Sequence, residues 1–78
     1  PEALRDLSVS LDNVGKTAKA QGRLQDAANA FDEMLDISRR LLQRLGETPE
    51  ALRDLSVSLD NVGKTAQAQG RLQDAANA

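Results

Sequence analysis

The 78-residue chain contains no cysteine and no histidine, and its only aromatic residue is a phenylalanine. The chain therefore has no disulfide framework, no thiol nucleophile and no zinc–thiolate site, and it lacks the commonest general base and metal ligand. Ten basic and 12 acidic residues give a formal net charge of −2, without the basic footprint expected for binding nucleic acid or an anionic membrane. No apolar run has the length of a membrane span or of a signal-peptide core. These absences predict no catalytic site, no metal and no cofactor. The length limits the chain to at most one small domain, and the charged, soluble profile favours a cytoplasmic protein.

The stretch SLDNVGKTA, residues 10–18, approximates a nucleotide-binding loop. Gly15, Lys16 and Thr17 provide the end of the Gly-x-x-x-x-Gly-Lys-Ser/Thr pattern, but Ser10 stands in place of its first glycine. A phosphate-binding loop joins a strand to a helix, whereas apolar residues here recur every three or four positions throughout the stretch. The pattern predicts a helix, and a nucleotide-binding enzyme is the weakest of three functional hypotheses.

Internal repetition dominates the sequence. Residues 1–30 match residues 49–78 at every position except one, where Lys19 corresponds to Gln67, so the period is 48 residues. Repeats of about 20–50 residues are typical of solenoids, in which each unit buries its apolar face against its neighbours.

Glycine and proline divide each period into two predicted helices. Helix A spans about residues 1–21 and ends at Gly22, and helix B spans about residues 24–45 and ends at Gly46, because glycine tolerates the left-handed conformation of a C-terminal cap. The second helix A has an N-cap residue, a proline at its first position and an acid in its first turn: Thr48, Pro49 and Glu50. The predicted fold is all-α, with antiparallel helix-turn-helix repeats stacked as an α-solenoid. The first repeat covers residues 1–48, and the second, residues 49–78, stops within helix B.

Helical projection assigns a core stripe to helix A and a wide apolar arc to helix B. The stripe consists of Leu4, Leu7, Leu11, Val14 and Ala18. It is flanked by small residues, which allow close helix packing: Ser8 and Gly15 on one side, and Ala3, Ser10 and Thr17 on the other. The arc of helix B consists of Leu24, Ala27, Ala28, Phe31, Met34, Leu35, Leu41, Leu42 and Leu45. An arc of this width predicts that helix B contacts helices of two repeats.

The spacing of these residues resembles the tetratricopeptide repeat (TPR), which pairs an aromatic, Leu-Gly and Tyr on the first helix with Ala-x-x-x-Phe on the second. The matching positions are Leu11, Val14, Gly15, Ala18, Gly22, Ala27 and Phe31, and in the second copy Leu59, Val62, Gly63, Ala66, Gly70 and Ala75. The resemblance implies that Gly15 packs closely against Ala27 and Phe31 fills the centre of the repeat, with Gly63 and Ala75 in the same roles in the second copy. Leu11, Ala18 and Arg39 depart from the family's aromatic, Tyr and Pro. The 48-residue period, against about 34 in the family, indicates a long-helix variant.

What the resemblance implies about function is protein or peptide binding on a concave surface, lined by the side of helix A opposite its stripe. That side carries Arg5, Val9, Asp12, Lys16, Lys19, Arg53, Val57, Asp60, Lys64 and Gln67. Three basic residues and one acidic residue give the first five a charge of +2, and two basic and one acidic give the second five +1. This balance favours an acidic peptide. The alternative interpretation is a solvated helix face on which Asp12 and Lys16 form an ordinary i,i+4 pair.

Several other functions are disfavoured. A carboxylate clamp of the kind some family members use has Asn13 and Asn61 but lacks its other basic partners. The carboxylates Asp32, Glu33 and Asp36 lie one turn from two arginines and indicate an exposed ion-pair face. No helix presents the basic, amide-rich edge of a DNA-reading helix.

The second functional hypothesis is a purely structural segment of a longer superhelix, or an artificial repeat made for folding studies. The second helix A has only the start of a helix B to cover its stripe, so we expect self-association, either by end-to-end stacking or by exchange of helices.

Overall fold

The computed structural model describes residues 2–77, which form three helices. Helix α1 spans Glu2–Ala20, α2 spans Leu24–Leu45 and α3 spans Pro49–Asn77. Within the described range there is no strand. The predicted all-α helical repeat fold is confirmed.

The turn between α1 and α2 is a complete C-terminal capping motif. Gly22 has a φ of 79°, and its N–H donates to the carbonyl oxygen of Lys19 at 3.0 Å. The N–H of Arg23 donates to the carbonyl oxygen of Ala18 at 2.8 Å. These bonds satisfy carbonyls that the end of a helix leaves open, and the positive φ makes glycine the residue of choice. The predicted role of Gly22 is confirmed.

The turn between α2 and α3 also uses the predicted residues. Gly46 has a φ of 73° and donates its N–H to the carbonyl oxygen of Leu42 at 2.8 Å. The Thr48 hydroxyl accepts the N–H of Ala51 at 3.1 Å, so Thr48 caps α3 as expected. At this turn the capping residues that the sequence predicts are the ones that end α2 and begin α3.

Helix α3 differs from the expected pattern because it continues through Gly70. Residues 20–30 and 68–78 have the same sequence, AQGRLQDAANA, yet the first copy contains a turn and the second is helical as far as Asn77. Among the described glycines only Gly22 and Gly46 have a positive φ. In the first copy the residues after the turn include Phe31, which is buried. Packing of α2 therefore stabilises the turn at Gly22.

Helix α2 lies between α1 and α3 and packs against both, as the width of its apolar arc predicts. It runs antiparallel to α3, because Ser38 meets Ser58 near one end while Gln25 meets Gln69 near the other. The three-helix structure is elongated, with principal extents of 46 × 19 × 14 Å.

Helices α1 and α3 run parallel and touch along one edge through polar side chains. The Arg5 guanidinium donates to the Glu50 carboxylate at 2.8 Å. Two turns further along, the Asn61 amide donates to the Asp12 carboxylate at 3.0 Å. These contacts fix the register of the two copies of helix A beside each other.

The core around Phe31 is small: it contains Ala18, Ala27, Phe31 and Met34, with Leu11 of α1 and Val62 of α3 packed against it. The predicted stripe on α1 is only partly correct, because Leu7 and Val14 are about half exposed. These two residues lie on a side of α1 that α2 does not cover.

Candidate functional site

Each copy of helix A has two packing sides, about a third of a turn apart. The forward side comprises Leu4, Ser8, Leu11, Gly15 and Ala18 in α1, and Leu52, Ser56, Leu59, Gly63 and Ala66 in α3. The rear side comprises Ala3, Leu7, Ser10, Val14 and Thr17 in α1, and Ala51, Leu55, Ser58, Val62 and Thr65 in α3. In α1 the forward side is buried or half-buried and the rear side is exposed, whereas in α3 the exposures are reversed. Helix α2 therefore packs on a different side of each of two nearly identical helices.

On the forward side of α1, Gly15 permits the closest approach of α2. A Cβ atom built at Gly15 would lie 2.5–2.9 Å from three ring carbons of Phe31, closer than real carbon atoms pack. The expected neighbour, Ala27, is fully buried in the same core, but the ring of Phe31 is what fills the space above the glycine. The close packing at Gly15 agrees with the prediction, but Phe31 and not Ala27 is the residue that lies against the glycine.

The second copy does not repeat this contact. Nothing lies within 4 Å of a Cβ built at Gly63, and Ala75 is exposed on the continuation of α3. Neither residue packs against another helix in the part of the chain that the structure describes.

The rear side of α3 packs on α2 through small polar residues. The hydroxyls of Ser38 and Ser58 lie 2.7 Å apart in a fully buried hydrogen bond. The buried Thr65 hydroxyl donates to the carbonyl oxygen of Asn61 at 2.8 Å. The small residues Ala3, Ser10 and Thr17 beside the stripe of α1 had indicated close helix packing. Their counterparts in α3, Ala51, Ser58 and Thr65, are the residues that are buried.

The ten residues predicted to line a binding surface lie on the sides of α1 and α3 that α2 does not cover. We call this set (Arg5, Val9, Asp12, Lys16, Lys19, Arg53, Val57, Asp60, Lys64 and Gln67) the paired-helix surface. Its two valines are 62% and 44% exposed.

Ion pairs within each helix organise the charges of the paired-helix surface. Lys16 contacts Asp12 at 2.9 Å and Lys64 contacts Asp60 at 3.0 Å. The two carboxylates differ in exposure: the Asp12 side chain is 21% exposed and that of Asp60 is 59% exposed. The difference arises because Asn61 of α3 covers Asp12, whereas among the described residues no amide reaches Asp60.

The loop-like GKT residues lie inside helices in both copies. Residues 15–17 belong to α1 and residues 63–65 to α3, so their backbone N–H groups are directed along the helix and not into a phosphate cradle. Lys16 and Lys64 instead form the i,i+4 pairs that the alternative interpretation predicted.

The described residues were compared with the requirements of a ligand cleft, a metal site and a membrane span. A cleft of about 500 Å³ lies between the start of α2 and the last turns of α3. Among the described residues, no three acidic side chains converge as a metal site would require. No described helix has both the length and the apolar character needed to span a membrane.

A family model described as tetratricopeptide repeat matches residues 7–44. The matched segment begins in α1 and ends one residue before the end of α2, so it contains the core around Phe31. No curated protein and no solved structure gives a significant match to the chain.

Proposed function

We propose that this chain, whose α1–α2 pair belongs to the tetratricopeptide repeat family, is a non-enzymatic scaffold that binds a protein or peptide on its paired-helix surface. Membership of the family indicates a protein-interaction scaffold module and is generally associated with proteins that are not enzymes. The observation that carries the specific assignment is the pair of exposed valines, Val9 and Val57, at equivalent positions of two adjacent parallel helices. Exposed apolar residues rimmed by polar ones are a common feature of protein-binding surfaces.

The charges of the paired-helix surface favour an acidic ligand. Its five basic and two acidic side chains give +3, in a chain whose net charge is −2. The carboxylates of Asp12 and Asp60 are each occupied by a lysine of the same helix. Lys19 and Arg53 form no ion pair with the other described residues. We therefore propose a peptide with apolar side chains for the two valines and acidic residues near Lys19 and Arg53.

The test is selection of peptides from a displayed library of random short sequences, followed by calorimetry with a selected peptide. We expect enrichment of acidic and apolar residues, weaker binding at high salt because exposed charges are screened, and loss of binding in Val9→Glu/Val57→Glu. Val14→Glu is the matched control, because Val14 is also exposed on α1 but lies on its rear side. Equal binding by the double variant and the control would contradict the proposal.

A structural spacer is the second candidate, and the near-identity of the two copies favours it. The paired-helix surface differs between copies only at Lys19 and Gln67, whereas recognition of a particular sequence usually requires different residues along a groove. Failure of the library to yield any ligand dependent on Val9 and Val57 would favour this role. Self-association, by end-to-end stacking or by exchange of helices, stays a prediction, and sedimentation over a range of concentrations tests it.

A further inference from the structure

The exposed face of α2 separates its charges by sign along the helix. Three acidic residues are followed by three arginines, with no charge of the other sign between them: Asp32, Glu33, Asp36, Arg39, Arg40 and Arg44. All six are exposed, and we call them the outer face of α2. In a stack of repeats each unit contacts only its neighbours, and α2 already packs against α1 and α3. The outer face is therefore not a surface on which a further repeat would stack.

The charges of the outer face are not paired within the chain. None of the six residues forms an ion pair with another residue in the part of the chain that the structure describes. Elsewhere in the same protein, Lys16 contacts Asp12 at 2.9 Å and Lys64 contacts Asp60 at 3.0 Å. The exposed ion-pair face predicted from the sequence is thus exposed, but its charges have no partner among the described residues.

The order of these charges is unfavourable for α2 alone. Asp32 and Asp36 are like-charged neighbours at i,i+4, and so are Arg40 and Arg44; such pairs destabilise an isolated helix. The helix dipole does not account for the order, because its effect falls off within the first and last turns, whereas Asp36 lies in the middle of α2. Charges of opposite sign supplied from outside the chain would relieve the repulsion in both halves.

We propose that the outer face of α2 docks on the same face of a second copy of the chain, with the two helices antiparallel. A pattern that runs from acidic to basic is complementary to itself when it is reversed, as a twofold interface requires. With the twofold axis midway between Asp36 and Arg39, Asp36 faces Arg39 and Arg40 of the other copy. Glu33 then faces Arg40 and Arg44, and the symmetry repeats each contact. A parallel arrangement would instead place like charges together.

The contact should be weak and strongly dependent on salt. Exposed ion pairs contribute little individually, but several charges of one sign opposite several of the other favour one orientation and speed association. We expect the intact chain to form a reversible dimer at low ionic strength that is lost at about 1 M salt, where the Debye length is about 3 Å. Sedimentation equilibrium over a range of concentrations measures this dimer.

Two charge variants of the intact chain test the pairing directly. The basic variant carries Asp32→Arg, Glu33→Arg and Asp36→Arg, and the acidic variant carries Arg39→Glu, Arg40→Glu and Arg44→Glu. Both should keep the helical circular-dichroism signal, because all six positions are exposed. Neither should dimerise alone, since like charges then face each other. An equimolar mixture should form a heterodimer that is tighter than the dimer of the unchanged chain by about tenfold or more.

A third variant controls for net charge. It combines all six substitutions, which reverse the order of the charges along α2 and leave the formal net charge of the chain at −2. The reversed pattern is again complementary to itself, so this variant should dimerise about as tightly as the unchanged chain.

The proposal does not rest on the function proposed above, because the outer face shares no residue with the paired-helix surface. Val9→Glu/Val57→Glu should therefore lose the library-selected peptide and keep the dimer. A chain that stays monomeric at low salt, or a mixture of the basic and acidic variants without a heterodimer, would overturn the proposal. So would a dimer that either variant forms alone or that persists at about 1 M salt, since it would be held together by apolar contacts, as in end-to-end stacking or exchange of helices.

Discussion

Helices α1 and α3 share their sequence over the length of α1 except at one position, Lys19 against Gln67, yet they bury different sides. Helix α1 uses its forward side, where Gly15 lies under the ring of Phe31. Helix α3 uses its rear side, where Ser58 meets Ser38 in the protein interior. The comparison shows that one helix sequence can encode two packing surfaces at once, each suited to a different face of α2. A repeat that must contact neighbours before and after it requires both.

The largest expected difference between the two copies is at the equivalent glycines. Gly15→Leu should lower the free energy of unfolding by about 1–3 kcal/mol, because the added side chain collides with the buried ring of Phe31. Gly63→Leu should leave it unchanged or raise it by up to about 1 kcal/mol, since the position is open and helix propensity improves. Urea denaturation of the two variants measures both values. Equal effects of the two substitutions would mean that the two copies of helix A are packed alike in solution.

The equivalent serines should show a smaller difference in the opposite sense. Ser58→Ala removes one partner of the buried Ser38–Ser58 hydrogen bond and should cost about 1 kcal/mol. Ser38 then retains only a long contact of 3.4 Å to the carbonyl oxygen of Asp54. Ser10→Ala, at an exposed position of α1, should be neutral within about 0.5 kcal/mol. The same denaturation experiment decides, and a costly Ser10→Ala would indicate that another helix covers the rear side of α1.

For the equivalent lysines Lys16 and Lys64 we expect no effect of added nucleotide. Lys16 and Lys64 form equivalent pairs with Asp12 and Asp60, so neither is placed to hold a phosphate. ATP with magnesium should leave the thermal midpoint unchanged, because a ligand that binds the native state would raise it. A rise of several degrees at millimolar ATP that disappears in Lys16→Ala would restore the nucleotide-binding hypothesis. Asp12→Asn is the control, because it removes the Lys16–Asp12 ion pair and leaves the lysine in place.

Much of the fold followed from local sequence signals. Gly22, Gly46 and Thr48 have the capping roles that their positions predict, and the wide apolar arc predicted that α2 contacts two helices. The GKT motif was correctly assigned to a helix because the apolar period continues through it. These features depend on backbone preference and periodicity, which a single sequence reports directly.

The candidate site was less predictable. The positions of the paired-helix surface could be named from periodicity, but the contact of Asn61 with Asp12 required the register of α1 beside α3. The predicted core stripe combined residues of the forward and rear sides. Projection of a single helix does not show that neighbouring helices can approach it from two different directions. For the same reason Ser38, fully buried beside α3, had no assigned role.

The sequence by itself determined that the fold is helical, which residues are apolar and which positions are small enough for close packing. Tertiary structure alone decided which side of each helix A is covered, and whether the segment AQGRLQDAANA turns at its glycine. The physical reason is that identical sequences have identical local propensities. The two copies differ in the contacts they receive, and α2, with its single Phe31 ridge, supplies those of the forward side to α1 alone.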